Sequence, residues 1–321
     1  MHISTTSYIF LFTFTILYFS SYAPRLPKIG ETLHGHSFAT GFGGKGANQC
    51  VACAKLGAKC SLIAKVGNDI WGDKYLENLK NCNVNVEFVE KVKDNTGIAQ
   101  ITVLDSGDNQ IIIIPGANKS LSVNDVNRAA NHLNKAAVLV CQQETPLDAT
   151  IEALTKFKGI SILNCAPAFE NTPNELLTLP TFLCVNESEA ALMTNLNIKT
   201  LQDAKIAALK LLEIGANSVI LTMGKDGAIF SQKNENVYHI PTKKIEKVID
   251  TTGAGDAFIG SLAFFFSKFN HLPITQQIGA ACEIASLSVQ RTGTQSSFFL
   301  ISEVKEIIEN VENNVYPVHE L

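Results

Sequence analysis

The segment Asp250-Thr251-Thr252-Gly253-Ala254-Gly255-Asp256 carries the most pointed chemistry in the chain. An apolar helix pattern follows at once: Ala257-Phe258-Ile259-Gly260-Ser261-Leu262-Ala263-Phe264. A small, flexible turn feeding a helix leaves several N–H groups unpaired and pointing one way. With the helix dipole they make an anion site. Asp256 falls in that turn, so its carboxylate would stand beside the anion. Such a carboxylate suits proton removal from a hydroxyl that attacks a phosphoryl group. An ordinary capped turn, with glycine supplying positive φ, explains a lone G-A-G-D equally well. The rest of the chain must decide.

Gly41-x-Gly43-x-x-Gly46 has the spacing of a dinucleotide loop, but no acidic residue stands about 20 positions on for the ribose hydroxyls. It is not a phosphate-binding Walker loop either, because Lys45 precedes the last glycine and no Ser or Thr follows it. It reads instead as a glycine loop that lets backbone approach a ligand, with Lys45 and Asn48 as donors. Asn186-Glu187-Ser188-Glu189 opens a helix directly after the apolar strand 182–185. Thr222-Met223-Gly224-Lys225-Asp226-Gly227 follows another strand, and Glu144 follows a third. Each has a plainer reading, as first-turn acids or a hairpin connection. Together they project from one edge of a sheet, where α/β folds bind ligands. That pattern fits a sugar hydroxyl, a triphosphate and a base brought into line.

The elements that must hold these groups follow a β-α rhythm. Strands are expected at 61–66, 137–141, 161–164, 182–185 and 218–222, and helices at 69–81, 123–134, 147–157, 187–194, 201–214 and 274–290. This predicts an α/β fold with a mostly parallel sheet and helices on both faces. Antiparallel stretches at about 31–41 and 97–118 break the rhythm and would form a small β lid. Ser106-Gly107-Asp108-Asn109 is the hairpin signal inside it.

A chain of 321 residues, 46% hydrophobic and 17% charged, suits one large domain, here read as one domain with a lid. The net charge of −4 and the lack of a basic run argue against nucleic acid as a partner. Eight cysteines lie mostly in apolar runs, as in reduced cytoplasmic proteins. Cys50-x-x-Cys53 has no second pair at zinc spacing and reads as packing.

Residues 9–19 are apolar, aromatic and β-branched, like the core of a signal peptide. The run lacks a basic flank and is too short to span a bilayer, so no membrane partner is expected. Asn186-Glu187-Ser188 is also a glycosylation sequon, and a glycan there would block the expected nucleotide site.

With Gly43-Gly44-Lys45-Gly46-Ala47-Asn48-Gln49 and the segment 250–256, the chain resembles the ribokinase-like carbohydrate kinases, a family that also holds adenosine kinases and fructokinases. The likeness runs from about residue 21 to 297, and the first signature points to the ribose-phosphorylating branch. It implies a three-layer α/β/α sandwich and ATP-dependent phosphorylation of D-ribose at O5, in the cytoplasm or nucleus. Asp256 would be the general base, and Gly253, Ala254 and Gly255 the anion hole. Gly44, Lys45, Gly46, Ala47, Asn48 and Glu144 would bind the sugar. Asn186, Thr222, Met223, Gly224, Lys225, Asp226, Gly227, Gly255 and Cys282 would line the nucleotide site. Glu189 would hold Mg²⁺ through water, and Asp250, Thr252, Ser288, Arg291, Gly293 and Ser297 would surround K⁺. A homodimer paired through the lid is implied by the same resemblance.

The family begins with an apolar strand and then a G-S-x-x-x-D segment that grips ribose hydroxyls, and residues 1–47 contain neither Asp nor Asn. Three expectations follow. Residues 1–20 are an atypical segment that is not the natural start of a catalytic domain spanning 21–321; or the chain is a nucleotide-binding pseudo-kinase with little turnover; or it is an exported form, which the sequon and the cysteines oppose. Ile9 to Leu17 has the β-propensity to supply a substitute first strand.

Overall fold

The computed structural model describes residues 8–321. The chain opens with β1 (Tyr8–Phe12), β2 (Ile16–Ala23) and β3 (Ser37–Gly43), then α1 (Lys45–Lys55), β4 (Lys59–Gly67) and α2 (Ile70–Asn81). Short strands β5 (Val84–Asn85) and β6 (Val89–Val92) lead to the hairpin β7 (Ile98–Leu104) and β8 (Asn109–Ile114). The alternating part follows as α3 (Val123–Leu133), β9 (Ala136–Gln142), α4 (Leu147–Lys156), β10 (Ile160–Asn164), α5 (Asn174–Thr178) and β11 (Phe182–Asn186). It continues through α6 (Glu187–Thr194), α7 (Leu201–Glu213), β12 (Ser218–Thr222), β13 (Ala228–Gln232) and β14 (Tyr238–Ile240). The last elements are α8 (Ala254–Lys268), α9 (Ile274–Ser288), α10 (Lys305–Glu312) and β15 (His319–Glu320).

The main sheet runs β15-β14-β13-β12-β11-β10-β9-β1-β4-β5, with β6 also paired to β4. From β12 to β5 every pair is parallel, and β13 to β15 add an antiparallel edge. Helices cover both faces, giving three layers. The strands show why. In β1, Ile9 and Leu11 enter the core shared with α1, α8 and α9, while Phe10 and Phe12 enter the core shared with α3, α4 and α7. A strand buried on both faces must be apolar at every position. Those four side chains are each 1% exposed or less, and burying each contributes roughly 1.5–3 kcal/mol.

A second sheet of order β3-β2-β7-β8 stands beside the first. Its β2 pairs antiparallel with β3 and parallel with β7. The chain passes between the two sheets at Thr13–Thr15. There Thr13 N donates to Ile63 O at 3.1 Å and Thr15 Oγ1 to Lys65 O at 2.9 Å.

The boundary expected at residue 20 does not divide this fold. Residues 8–12 form a central strand of the main sheet and residues 16–23 form a central strand of the lid. Residues 1–7 of the expected segment lie outside the described residues. The apolar run 9–19 is therefore two strands, broken at the threonines, rather than one appended stretch. The lid also differs from the expectation at 31–41: its strand begins at Ser37, and residues 32–36 have no regular structure. No helix among the described residues is long and apolar enough to cross a membrane.

Candidate active site

Two helix starts build the site. Helix α1 begins behind Gly44, whose φ is 93°, and a Cβ there would lie 2.4 Å from Phe14 O. Only glycine lets the loop pass this close to the strand crossing. Helix α8 begins behind Gly253, φ 82°, where a Cβ would lie 2.7 Å from Thr294 Cγ2.

Asp256 is in the first turn of α8. Its Oδ2 accepts from Asn48 Nδ2 at 2.9 Å and its Oδ1 from Gln49 Nε2 at 3.0 Å. Burial raises its pKa, and the charge of Lys45 with the two amide donors pulls the other way without cancelling the rise. Glu144 accepts from the backbone N of Lys45 at 3.3 Å. Burial pushes the Glu144 carboxyl up to about 7, opposed by Lys45 and assisted by the charge of Asp256. Glu189 is also raised by burial, opposed by the Asn186 backbone N–H and Lys45. Three carboxyl groups thus face one lysine in a poorly solvated site.

The amides at the start of α8 are not equivalent. Ala254 N turns back to Thr251 O at 3.2 Å, and Ala257 N begins the helical ladder on Gly253 O at 2.8 Å. Gly255 and Asp256 lie between them, where a helix offers its N–H groups no carbonyl. The space beyond Gly255 is open. The free donors of the turn are therefore those of Gly255 and Asp256 rather than Ala254.

A cavity of about 160 Å³ opens in front of this turn, lined by Lys45, Asn164, Asn186, Glu189, Thr222, Gly253, Gly255 and Asp256 among others. Asn186 and Glu189 cap α6 reciprocally, Asn186 N to Glu189 Oε2 at 2.9 Å and Glu189 N to Asn186 Oδ1 at 2.8 Å. Gly46 and Ala47 lie in the first turn of α1, where Ala47 is fully buried. A wider hollow of about 520 Å³ along residues 187–198 gathers no second titratable group beside Glu187.

Other expected residues stand apart from the cavity. Met223, Gly224, Lys225, Asp226 and Gly227 make the turn between β12 and β13, closed by Met223 N to Gly227 O at 2.8 Å, and do not line it. Cys282 sits in the core on α9, its thiol pushed up to about 12 by burial, and does not line it either.

Around the expected K⁺ site, Asp250 clips two loops together. Its Oδ1 accepts from Thr252 N at 2.9 Å and its Oδ2 from Gly293 N at 2.8 Å. Ser288 Oγ donates to Ala285 O and Ser297 Oγ to Thr294 O, both at 2.7 Å. The Arg291 guanidinium is turned to Glu303 at 2.7 Å and to the Phe299 ring, so only its backbone could serve a cation. All eight cysteines are free thiols.

Sequence reasoning missed Gln49, Asn164, Gln142 and Gln295 as site residues. Gln49 lies one helical turn after Lys45, a spacing that puts both on one face. Asn164 ends β10, and strand ends of this kind bear ligands.

The chain is similar to known carbohydrate kinases in sequence and fold. Residues 8–299 match the pfkB family carbohydrate kinases. A ribokinase of Mus musculus is 44% identical over 283 residues, covering 87% of both chains. A deoxyribokinase of Salmonella typhi is 38% identical over 292 residues, covering 90% of this chain and 94% of that one. The structure of Arabidopsis thaliana ribokinase complexed with ribose and ATP superimposes with a TM-score of 0.86 at 26% identity, covering 95% of this chain and 99% of that one. With its sandwich fold and a carboxylate set at a helix start, the chain belongs to the pfkB family of carbohydrate kinases, which transfer phosphate to an alcohol.

Proposed function

We propose that this chain phosphorylates the 5-hydroxyl of D-ribose with ATP, using Asp256 as general base. The observation that carries the reading is the Asp256 carboxylate, held on both oxygens by α1 amides beside two unpaired N–H groups of α8. A hydroxyl placed against that carboxylate loses its proton as it attacks. The Gly255 and Asp256 amides and the helix dipole then receive the charge on the transferred phosphoryl oxygens. Lys45, Asn48 and Glu144 surround the sugar side of the base, and Asn186 and Thr222 the nucleotide side.

The donor set also fits cations. Three carboxyl groups raised by burial would gain from a divalent ion that accompanies the nucleotide, and Glu189 would hold Mg²⁺ through water. Mg²⁺ would neutralise phosphate charge. Asp250 pins two loops together, and their backbone carbonyls with the Ser288 and Ser297 hydroxyl oxygens would hold K⁺ and stabilise the turn before α8. A second copy would pair through the lid, where Ile111 to Ile114 on β8 are each about half exposed or more.

A second reading has its own observation. On β2, Ile16 packs with Phe14 and Ala99, with Tyr18 and Ile101 against them, so the lid beside the glycine loop brings no carboxylate to a sugar. This favours weak sugar binding, or a substrate with fewer hydroxyl groups. ADP release measured with ribose, adenosine and fructose, in Mg²⁺ and K⁺, separates the readings. Rapid ribose-dependent release supports the first. ATP binding without sugar-dependent release supports a pseudo-kinase.

A further inference from the structure

Each Asp256 oxygen is held by a side-chain amide, and each of those amides is oriented by another. A carboxylate only accepts, so Asn48 must turn Nδ2 toward it and Oδ1 away. That Oδ1 accepts from Gln295 Nε2 at 3.1 Å, and Gln295 Oε1 accepts from Asn78 Nδ2 at 2.8 Å. On the other arm Gln49 also gives Nε2 to Asn164 Oδ1 at 3.0 Å, and its Oε1 accepts from Gln142 Nε2 at 2.8 Å. Asn48, Gln49, Gln142 and Gln295 are each 8% exposed or less, so water does not replace these partners freely. Lys55 Nζ fixes the backbone beneath Gln295, donating to Gln295 O at 2.7 Å and Phe298 O at 3.1 Å.

An amide has nearly the same shape either way round. Only its hydrogen bonds decide which end faces the carboxylate. We propose that Gln295 and Gln142 are positioning residues: they fix the direction of the Asn48 and Gln49 amides and thereby keep Asp256 a proton acceptor. The role as base rests on the kinase reading; the orientation of the amides does not. If Asn48 turned over, its carbonyl would face the carboxylate and favour the protonated form. The charged groups that also act on Asp256 are Lys45 from α1, Glu144 after β9 and Glu189 from α6, and the Gln295 variants alter none of these residues.

The test is the titration of Asp256 in the full chain labelled with ¹³C at aspartate carboxyls, its signal assigned by loss in Asp256→Asn. Gln295→Met removes the donor without adding charge. Gln295→Glu keeps the shape and the Asn78 contact but reverses the polarity toward Asn48. The midpoint should rise by roughly half a pH unit or more in Gln295→Met and further in Gln295→Glu. Gln142→Met should raise it through the other arm. The acidic limb of kcat should move with the midpoint while KM for ATP stays put. A folded Gln295→Met with the wild-type midpoint overturns the proposal. If that variant does not fold, the uncharged Gln142→Met decides in the same way through the Gln49 arm. Absence of ribose-dependent ADP release in the wild type would sink the kinase reading, yet the carboxyl titration would still decide the orientation.

Discussion

Asn48 donates Nδ2 to Asp256 Oδ2 across 2.9 Å, although 208 positions separate them in the chain. This bond ties the first turn of α1 to the first turn of α8. Each helix buries its far side in the same core, so their starts are held at a fixed separation. A glycine loop and an acidic turn thereby become one site.

Gly253 holds the entry to α8 in the left-handed region with no room for a Cβ. Gly253→Ala should lower stability by roughly 1–2 kcal/mol from the backbone alone, with the Thr294 contact adding to it. Denaturant unfolding checks the stability, and calorimetry should show weaker ATP binding because the free amides are re-aimed. Unchanged unfolding and unchanged ATP affinity would contradict the role given to this turn.

Glu144 supplies a pH signature. Its folded pKa of about 7 lies above the ordinary value of 4.5, so the folded state binds its proton more tightly than the unfolded state. The stability it contributes is full below the unfolded value and is lost as pH rises through about 7, on the order of 3 kcal/mol. Glu144→Gln keeps an acceptor for Lys45 N and removes the titration. The variant should match the wild type in melting temperature near pH 5 and exceed it near pH 8. A difference that does not grow with pH would show that this carboxyl is not the group responsible.

Much of the scaffold was legible. The strand at 218–222 and the helix at 187–194 lie where alternation, periodicity and the Asn186 and Glu189 cap put them. The start of the fold was not. A strand buried on both faces has no polar alternation, so residues 9–12 read like a membrane-targeting core. The break at Thr13–Thr15 depends on Lys65 and Asn118, far along the chain. Gln49 and Gln295 were missed because an uncharged amide gives no pattern until its partner is known. Arg291 was placed at the cation site by the family resemblance alone; its side chain goes to Glu303 and Phe299, which leaves only its backbone for that role.

The apolar lid bears on sugar choice. A site built to bond a hydroxyl rejects the analogue lacking it by about 10⁴–10⁵. With the apolar Ile16 and no carboxylate on the lid strand, no such penalty is expected for a missing hydroxyl on that side. The ratio of kcat/KM for ribose to that for 2-deoxyribose should stay within about 10², the range left to simple packing. A larger ratio would mean that another group grips that hydroxyl.

The central claim is that Asp256 takes the proton from the attacking alcohol. The most direct measurement is ribose-dependent ADP release by Asp256→Asn beside ATP binding by the same variant. A fall of ~10²–10⁴ in kcat with ATP affinity nearly kept is the expected result. Turnover close to that of the wild type would contradict it.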